Sequence, residues 1–126
     1  MKRKTTAFAI GAALALGIGA SAYAGLHTMF QVTINDPAMF ANGDVSFVHN
    51  TPDPVQYIFC ESQGTSANCQ ARNLAGLVRS CSTANPAHLA AIHSIGTDSF
   101  LLFRWNAAGQ CTAVSVRNGS LTVPKA

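Results

Sequence analysis

Ser99-Phe100-Leu101-Leu102-Phe103-Arg104-Trp105 runs into Asn106-Ala107-Ala108-Gly109 and, after Gln110, into Cys111-Thr112-Ala113-Val114-Ser115-Val116-Arg117. The two flanks are rich in aromatic and β-branched residues. The short joint between them contains a glycine. That combination predicts an antiparallel hairpin. Phe100 and Leu102 fall on one face of the first strand, and Leu101, Phe103 and Trp105 on the other. Both faces have apolar material to bury, so this strand is expected in the middle of a sheet.

Working outward, Asn118-Gly119-Ser120 reads as a turn and Leu121–Val123 as a short edge strand before Pro124. Upstream, Asn85-Pro86 opens the Ala- and Ile-rich run Ala87–Ile95, which Gly96 ends. Proline suits a first helical turn, and Asn85 or Thr83 can cap it, so this is the one helix expected. Cys69–Arg72 and Leu77–Cys81 flank Asn73-Leu74-Ala75-Gly76 as a second hairpin, and Val55–Cys60 is a strand. Thr51-Pro52-Asp53-Pro54 is a connection. Val45–His49 alternates as a strand after an Asn42-Gly43-Asp44 turn, and Thr28–Ile34 carries Phe30, Val32 and Ile34 at period two. The expected fold is mainly β (α+β): a small antiparallel sheet of five to seven strands, one helix packed on a face, and two disulfides.

The N-terminus has a separate character. Lys2, Arg3 and Lys4 precede an uncharged run from Ala7 to Ala20, and Ala22-Tyr23-Ala24 offers small residues at the positions a signal peptidase reads. This is the pattern of a secretory signal peptide over 1–24, with the mature chain 25–126 a single disulfide-bonded domain. The apolar run is shorter than a membrane-spanning helix requires. The protein is therefore expected to be exported, to the periplasm or the extracellular space, with no membrane attachment after signal removal. The whole chain carries a net charge of +3, but three of its eight Lys and Arg belong to the signal. Arg72, Arg79, Arg104, Arg117 and Lys125 then balance Asp36, Asp44, Asp53, Glu61 and Asp98. No basic stripe remains for a nucleic-acid partner or an anionic membrane surface.

The four cysteines, Cys60, Cys69, Cys81 and Cys111, lie after the signal. An even number in a short exported chain reads as two disulfides. No C-x-x-C is present for a metal or redox pair. Cys60–Cys69 with Cys81–Cys111 is the expected pairing, the first tying a loop end to its own start and the second tying the turn after the hairpin to the C-terminal hairpin. Cys69–Cys81 with Cys60–Cys111 is the rival, because Cys69 and Cys81 lie symmetrically about Asn73–Gly76.

Cys69-Gln-Ala-Arg-Asn through Gly76 to Ser80-Cys81 resembles a pattern in small exported bacterial four-cysteine proteins of unassigned function. Asp98-Ser-Phe through Trp105-Asn-Ala-Ala-Gly-Gln-Cys111-Thr resembles it too. The resemblance covers residues 55–126. It implies export and a disulfide-bonded fold, and it carries over no catalytic residue.

The chemistry-bearing residues are sparse. His88 and His93 are five apart, which on a helix turns them about 140° away from each other and off a common metal face. His27 and His49 stand apart from them, and no H-E-x-x-H occurs. Gly64-Thr65-Ser66-Ala67-Asn68 lacks the last glycine of a nucleophile elbow. The G-x-G-x-x-A match at Gly17 lies inside the signal and follows no strand. Most of the acids adjoin turns, where carboxylates serve as caps and turn acceptors. No catalytic residue, metal ligand or cofactor site is assigned. Phe100, Phe103, Trp105, Tyr57 and Phe59 are either core or a ligand platform. Trp105, with Asn106 and Gly109, is the expected binding position, since it ends its strand at the hairpin loop. The expected function is a noncatalytic exported binding or envelope-associated protein, for an unknown protein or small ligand. The alternatives are a secreted hydrolase (protease) inhibitor with a disulfide-braced loop such as Cys81 to Pro86, and a small secreted enzyme.

Overall fold

A computed structural model describes residues 25–122. The expected signal peptide and Val123 lie outside the described residues. Among the described residues seven strands and two helices follow one another: β1 (Thr33–Asn35), β2 (Phe40–Asp44), α1 (Val45–His49), β3 (Tyr57–Ser62), β4 (Ala67–Arg72), β5 (Val78–Thr83), α2 (Pro86–His93), β6 (Phe100–Trp105) and β7 (Cys111–Arg117). The fold is mainly β, as the hairpin pattern predicts. The strands divide into two antiparallel sheets, a four-stranded one ordered β1-β2-β6-β7 and a three-stranded one ordered β3-β4-β5.

Strand β6 lies between β2 and β7, the central place its two apolar faces demand. Leu101 and Phe103 are fully buried, and Phe100 is nearly so. A single cluster joins Leu101 and Phe103 to Ala41 of β2, to Ile58, Ala67, Cys69, Ala71 and Cys81 of the small sheet, and to Val48 and Ile92 of the two helices. The inner faces of both sheets therefore share one core.

Helix α2 forms where Asn85 and Pro86 predict it. The Asn85 side chain accepts from the Ala87 N–H at 2.8 Å, and Thr83 Oγ1 accepts from the Asn85 N–H at 3.1 Å. One satisfies an orphan donor of the first turn and the other fixes the capping residue.

Four local expectations change. Val45–His49 is a helical turn rather than a strand. Burial overrides β-propensity here: at helical spacing Val45 and Val48 both turn to the core, which alternation cannot achieve. The Val45 N–H is held by Ser99 O at 2.9 Å, and Asn50 and Thr51 close the other end onto Ser46 O and Val48 O. Asn42-Gly43-Asp44 belongs to β2 rather than to a turn. A side chain on Gly43 would place its Cβ 3.2 Å from Val48 Cγ2, so the glycine lets α1 approach the strand. The chain reversal falls earlier, at Asp36–Met39, where the Met39 N–H bonds Asp36 O and Asn35 Oδ1 takes the Ala38 N–H. Only Thr33 and Ile34 of the first expected strand, Thr28–Ile34, are paired as strand, and Asn35 extends it, while Leu121 and Thr122 form a turn.

Two disulfides close the structure, Cys60–Cys69 and Cys81–Cys111. The first crosses β3 and β4 between directly opposed residues. The second ties β5 of one sheet to β7 of the other. Beside it the Ser82 N–H donates to Gly109 O at 3.0 Å.

Candidate binding face

The aromatic residues grouped by the sequence separate in space. Phe103 is core, and Trp105 is half-buried against it with ring centroids 5.9 Å apart. Asn106 Oδ1 accepts from the N–H groups of Ala108 and Gln110, both at 3.0 Å. Gly109 sits at φ +77°, and its carbonyl is taken by Ser82. The loop's polar groups are thus largely engaged within the fold. The exposed tip, Ala107 to Gly109, offers only small side chains.

Tyr57 and Phe59 stand elsewhere, on the outer face of the small sheet. Their rings lie 5.7 Å apart. Register sets three rows across the sheet, Tyr57–Arg72–Val78, Phe59–Gln70–Ser80 and Glu61–Asn68–Ser82, with the β4 residue in the middle of each. Gln70 Nε2 donates to the Tyr57 hydroxyl at 3.1 Å, which fixes that ring. Phe59 is 38% exposed and Val78 37%, and Leu74 on the adjoining turn is 55% exposed. The result is an apolar centre with Arg72, Gln70, Asn68, Glu61 and two serines around it. Asn68 Oδ1 and Arg72 Nε on this face have no hydrogen-bond partner among the described residues.

Sequence reasoning weighed Tyr57 and Phe59 but missed their shared outward direction. The signal lay in parity. Cys81 must face inward to reach Cys111 of the other sheet, Cys69 and Cys60 lie in register with it on the same face, and Tyr57 and Phe59 have the opposite parity to Cys60 along β3.

The titratable groups stay dispersed. His93 Nε2 lies 3.1 Å from Ser62 Oγ, and His88 Nδ1 lies 2.7 Å from Thr83 Oγ1. Among the described residues no carboxylate hydrogen-bonds either imidazole, so neither pair is extended into a triad. His49 lines two shallow grooves beside α1, of about 360 Å³ with Asp98 and about 300 Å³ with Asp53. Asp53 is committed to its own turn. Its oxygens accept from the Val55 and Gln56 N–H groups and from Gln56 Nε2, each at 2.9 Å, and these bonds hold its pKa well below the usual carboxylate range. Asp36 pairs with Arg79 at 2.7 Å, which lowers the carboxyl pKa and raises that of the guanidinium. Asp44 is buried and accepts from the Phe30 N–H at 2.8 Å. No group of three or more metal-ligating side chains occurs among the described residues. No described helix is long and apolar enough to cross a membrane.

The inhibitor reading requires a protruding braced loop. Cys81 to Pro86 is instead the end of β5 and the cap of α2, with Thr83 buried. No family model, curated protein or solved structure matches the chain.

Proposed function

We propose that the chain is an exported binding protein without catalytic chemistry, and that it engages a partner protein through the outer face of the small sheet. The observation that carries this reading is the outward-facing pair of half-buried Tyr57 and exposed Phe59, with exposed Val78 and Leu74 on the same sheet and its turn and Arg72, Gln70 and Asn68 between the strands. Aromatic and arginine side chains with a polar rim are the composition of protein contact surfaces. Small ligands take concave sites, whereas a sheet surface suits a macromolecule. The two disulfides fit the oxidising compartment an exported chain would meet.

Affinity capture from the native culture, with the mature domain as bait, tests this. Phe59→Ala combined with Tyr57→Ala is expected to abolish capture of a specific protein partner while the urea midpoint falls only modestly. Trp105→Ala is the control. Loss of capture there, with the sheet-face variant still active, moves the contact to the Asn106–Gly109 hairpin. Turnover in a hydrolase panel would end the noncatalytic reading.

A further inference from the structure

Three of the four cysteines form a row. Cys60 of β3 opposes Cys69 of β4, and Cys69 in turn opposes Cys81 of β5. Opposed residues of antiparallel strands share a face, so all three sulfurs lie on the inner side of the small sheet. Cys60 and Cys69 have Cα atoms 4.0 Å apart, the close kind of opposed pair in which no backbone bonds are exchanged. A residue on a middle strand turns its N–H and C=O to one neighbour only. Cys69 and Cys81 are therefore the wider, hydrogen-bonded kind, with Cα atoms about 5.5 Å apart. The Asn73 N–H to Leu77 O bond at the turn fixes the same alternation. That separation lies within the range a disulfide spans. Cys69 thus has a bondable cysteine on each side while the backbone stays where it is.

Access along the row is graded. Cys60 is half-buried on an edge strand, whereas Cys69, Cys81 and Cys111 are 0%, 2% and 8% exposed. We propose that the row is a thiol–disulfide relay with Cys60 as its entry and modification site, taking a low-molecular-weight thiol. The thiolate attacks Cys60 Sγ. A mixed disulfide forms, the Cys60–Cys69 bond breaks, and its electron pair leaves on Cys69 Sγ. The new thiolate is buried, without water to stabilise it, on the residue directly opposed to Cys81. It attacks Cys81, forming Cys69–Cys81 and breaking Cys81–Cys111. The electron pair ends on Cys111 Sγ, which takes a proton from solvent. Two disulfide bonds exist before and two after, one of them now to the small thiol. The covalent tie between the two sheets has been exchanged for one inside the small sheet. The Asn106–Gly109 hairpin then remains joined to β5 by the Ser82 N–H to Gly109 O bond. The relay does not depend on the binding reading, because its outcome is read from the sulfurs alone.

Reduced glutathione is the probe, with acid quenching, thiol blocking and tryptic mapping without reduction. Cleavage at Arg72, Arg79, Arg104 and Arg117 places Cys60 and Cys69 on one peptide, Cys81 on 80–104 and Cys111 on 105–117. The expected product joins the peptide ending at Arg72 to 80–104, carries glutathione on Cys60, and leaves 105–117 with a blocked thiol. Persistence of the 80–104 to 105–117 link, with or without glutathione on Cys60, overturns the relay. Cys60→Ser provides a second test that needs no added thiol. The unpaired Cys69 is expected to displace Cys111 and form Cys69–Cys81 as the main species. A Cys60→Ser chain that retains Cys81–Cys111 with a free Cys69 overturns the proposal equally. If that variant does not fold, the glutathione experiment on the unaltered chain still decides.

Discussion

The two sheets enclose one core but are held by different means. The four-stranded sheet turns large apolar side chains inward, with Leu101 and Phe103 fully buried and Val114 and Val116 packed beside them. The small sheet turns inward one large side chain, Ile58, and otherwise Ala67, Cys69, Ala71 and Cys81. The alanines and cysteines remove little apolar area from water, and burial stabilises roughly in proportion to that area. Covalent bonds supplement it, one within the small sheet and one from it to the large sheet. The lesson is a division of labour within a small domain. One sheet relies on large buried side chains, and the other has a mostly small-residue inner face whose burial crosslinks reinforce. Its outer face is correspondingly free to carry aromatic and polar side chains.

The largest effect expected from this contrast is at Phe103. Phe103→Ala should cost about 3–5 kcal/mol, from lost transfer energy and the cavity left behind. That is a large fraction of the roughly 5–15 kcal/mol available to a small domain. Ala71→Gly, on the inner face of the small sheet, should cost about 1 kcal/mol. Urea unfolding of the two variants measures the difference. Equal losses would show that both sheets rely on packing alike, and the contrast would fail.

The disulfides sharpen the comparison at a somewhat smaller scale. Cys60–Cys69 closes a separation of 9 residues and Cys81–Cys111 one of 30. Loop-closure entropy assigns about 3 kcal/mol to the first and about 4 kcal/mol to the second. Replacing each pair by alanines should therefore rank the bridge between the sheets above the bridge within one. Only the former should speed amide exchange in the Asn106–Gly109 hairpin. The reverse ranking would show that the small sheet, rather than its junction, needs the crosslink most.

The same contrast explains what could be read from the residues in advance. The β6–β7 hairpin was legible because apolar alternation is strongest where large side chains are buried. Helix α2 was legible because Asn85 and Pro86 are local signals. The pairing Cys60–Cys69 with Cys81–Cys111 was one of the two arrangements weighed. Strand β2 was hidden, since Asn42-Gly43-Asp44 reads as a turn and Gly43 is needed only because α1 packs against it. The helical turn Val45–His49 was hidden for the reciprocal reason. Its β-branched residues favour strand locally, and only the position of the core selects the i, i+3 arrangement. The division into two sheets is a long-range property with no local mark. The outward face of Tyr57 and Phe59 lay within reach, by parity against Cys60, whereas the packing of Trp105 against Phe103 depends on tertiary structure.

The smallest predicted effect concerns a noncovalent joint between the sheets. After α1 the chain passes to β3 through Asp53, whose carboxylate accepts from the Val55 and Gln56 N–H groups and from the Gln56 side chain. Gln56 Oε1 in turn accepts from the Val32 N–H at 3.0 Å, just before β1. Asp53 therefore orients the amide that pins the start of the large sheet to the entry of the small one. Its folded pKa is depressed below the unfolded value of about 3.9. Such a group stabilises the fold above that pH, and the contribution is lost as pH falls toward the folded pKa. Asp36 is depressed too, through Arg79, and acts in the same window. Salt separates them. The Asp36–Arg79 pair is exposed and is screened at high ionic strength, whereas the Asp53 bonds are to neutral amides. In high salt, the urea midpoint of the unaltered chain should still fall on acidification below about pH 4. Asp53→Asn should lower the midpoint at neutral pH and flatten that fall. A variant that loses as much stability in acid as the unaltered chain would show that the joint does not depend on the Asp53 carboxylate.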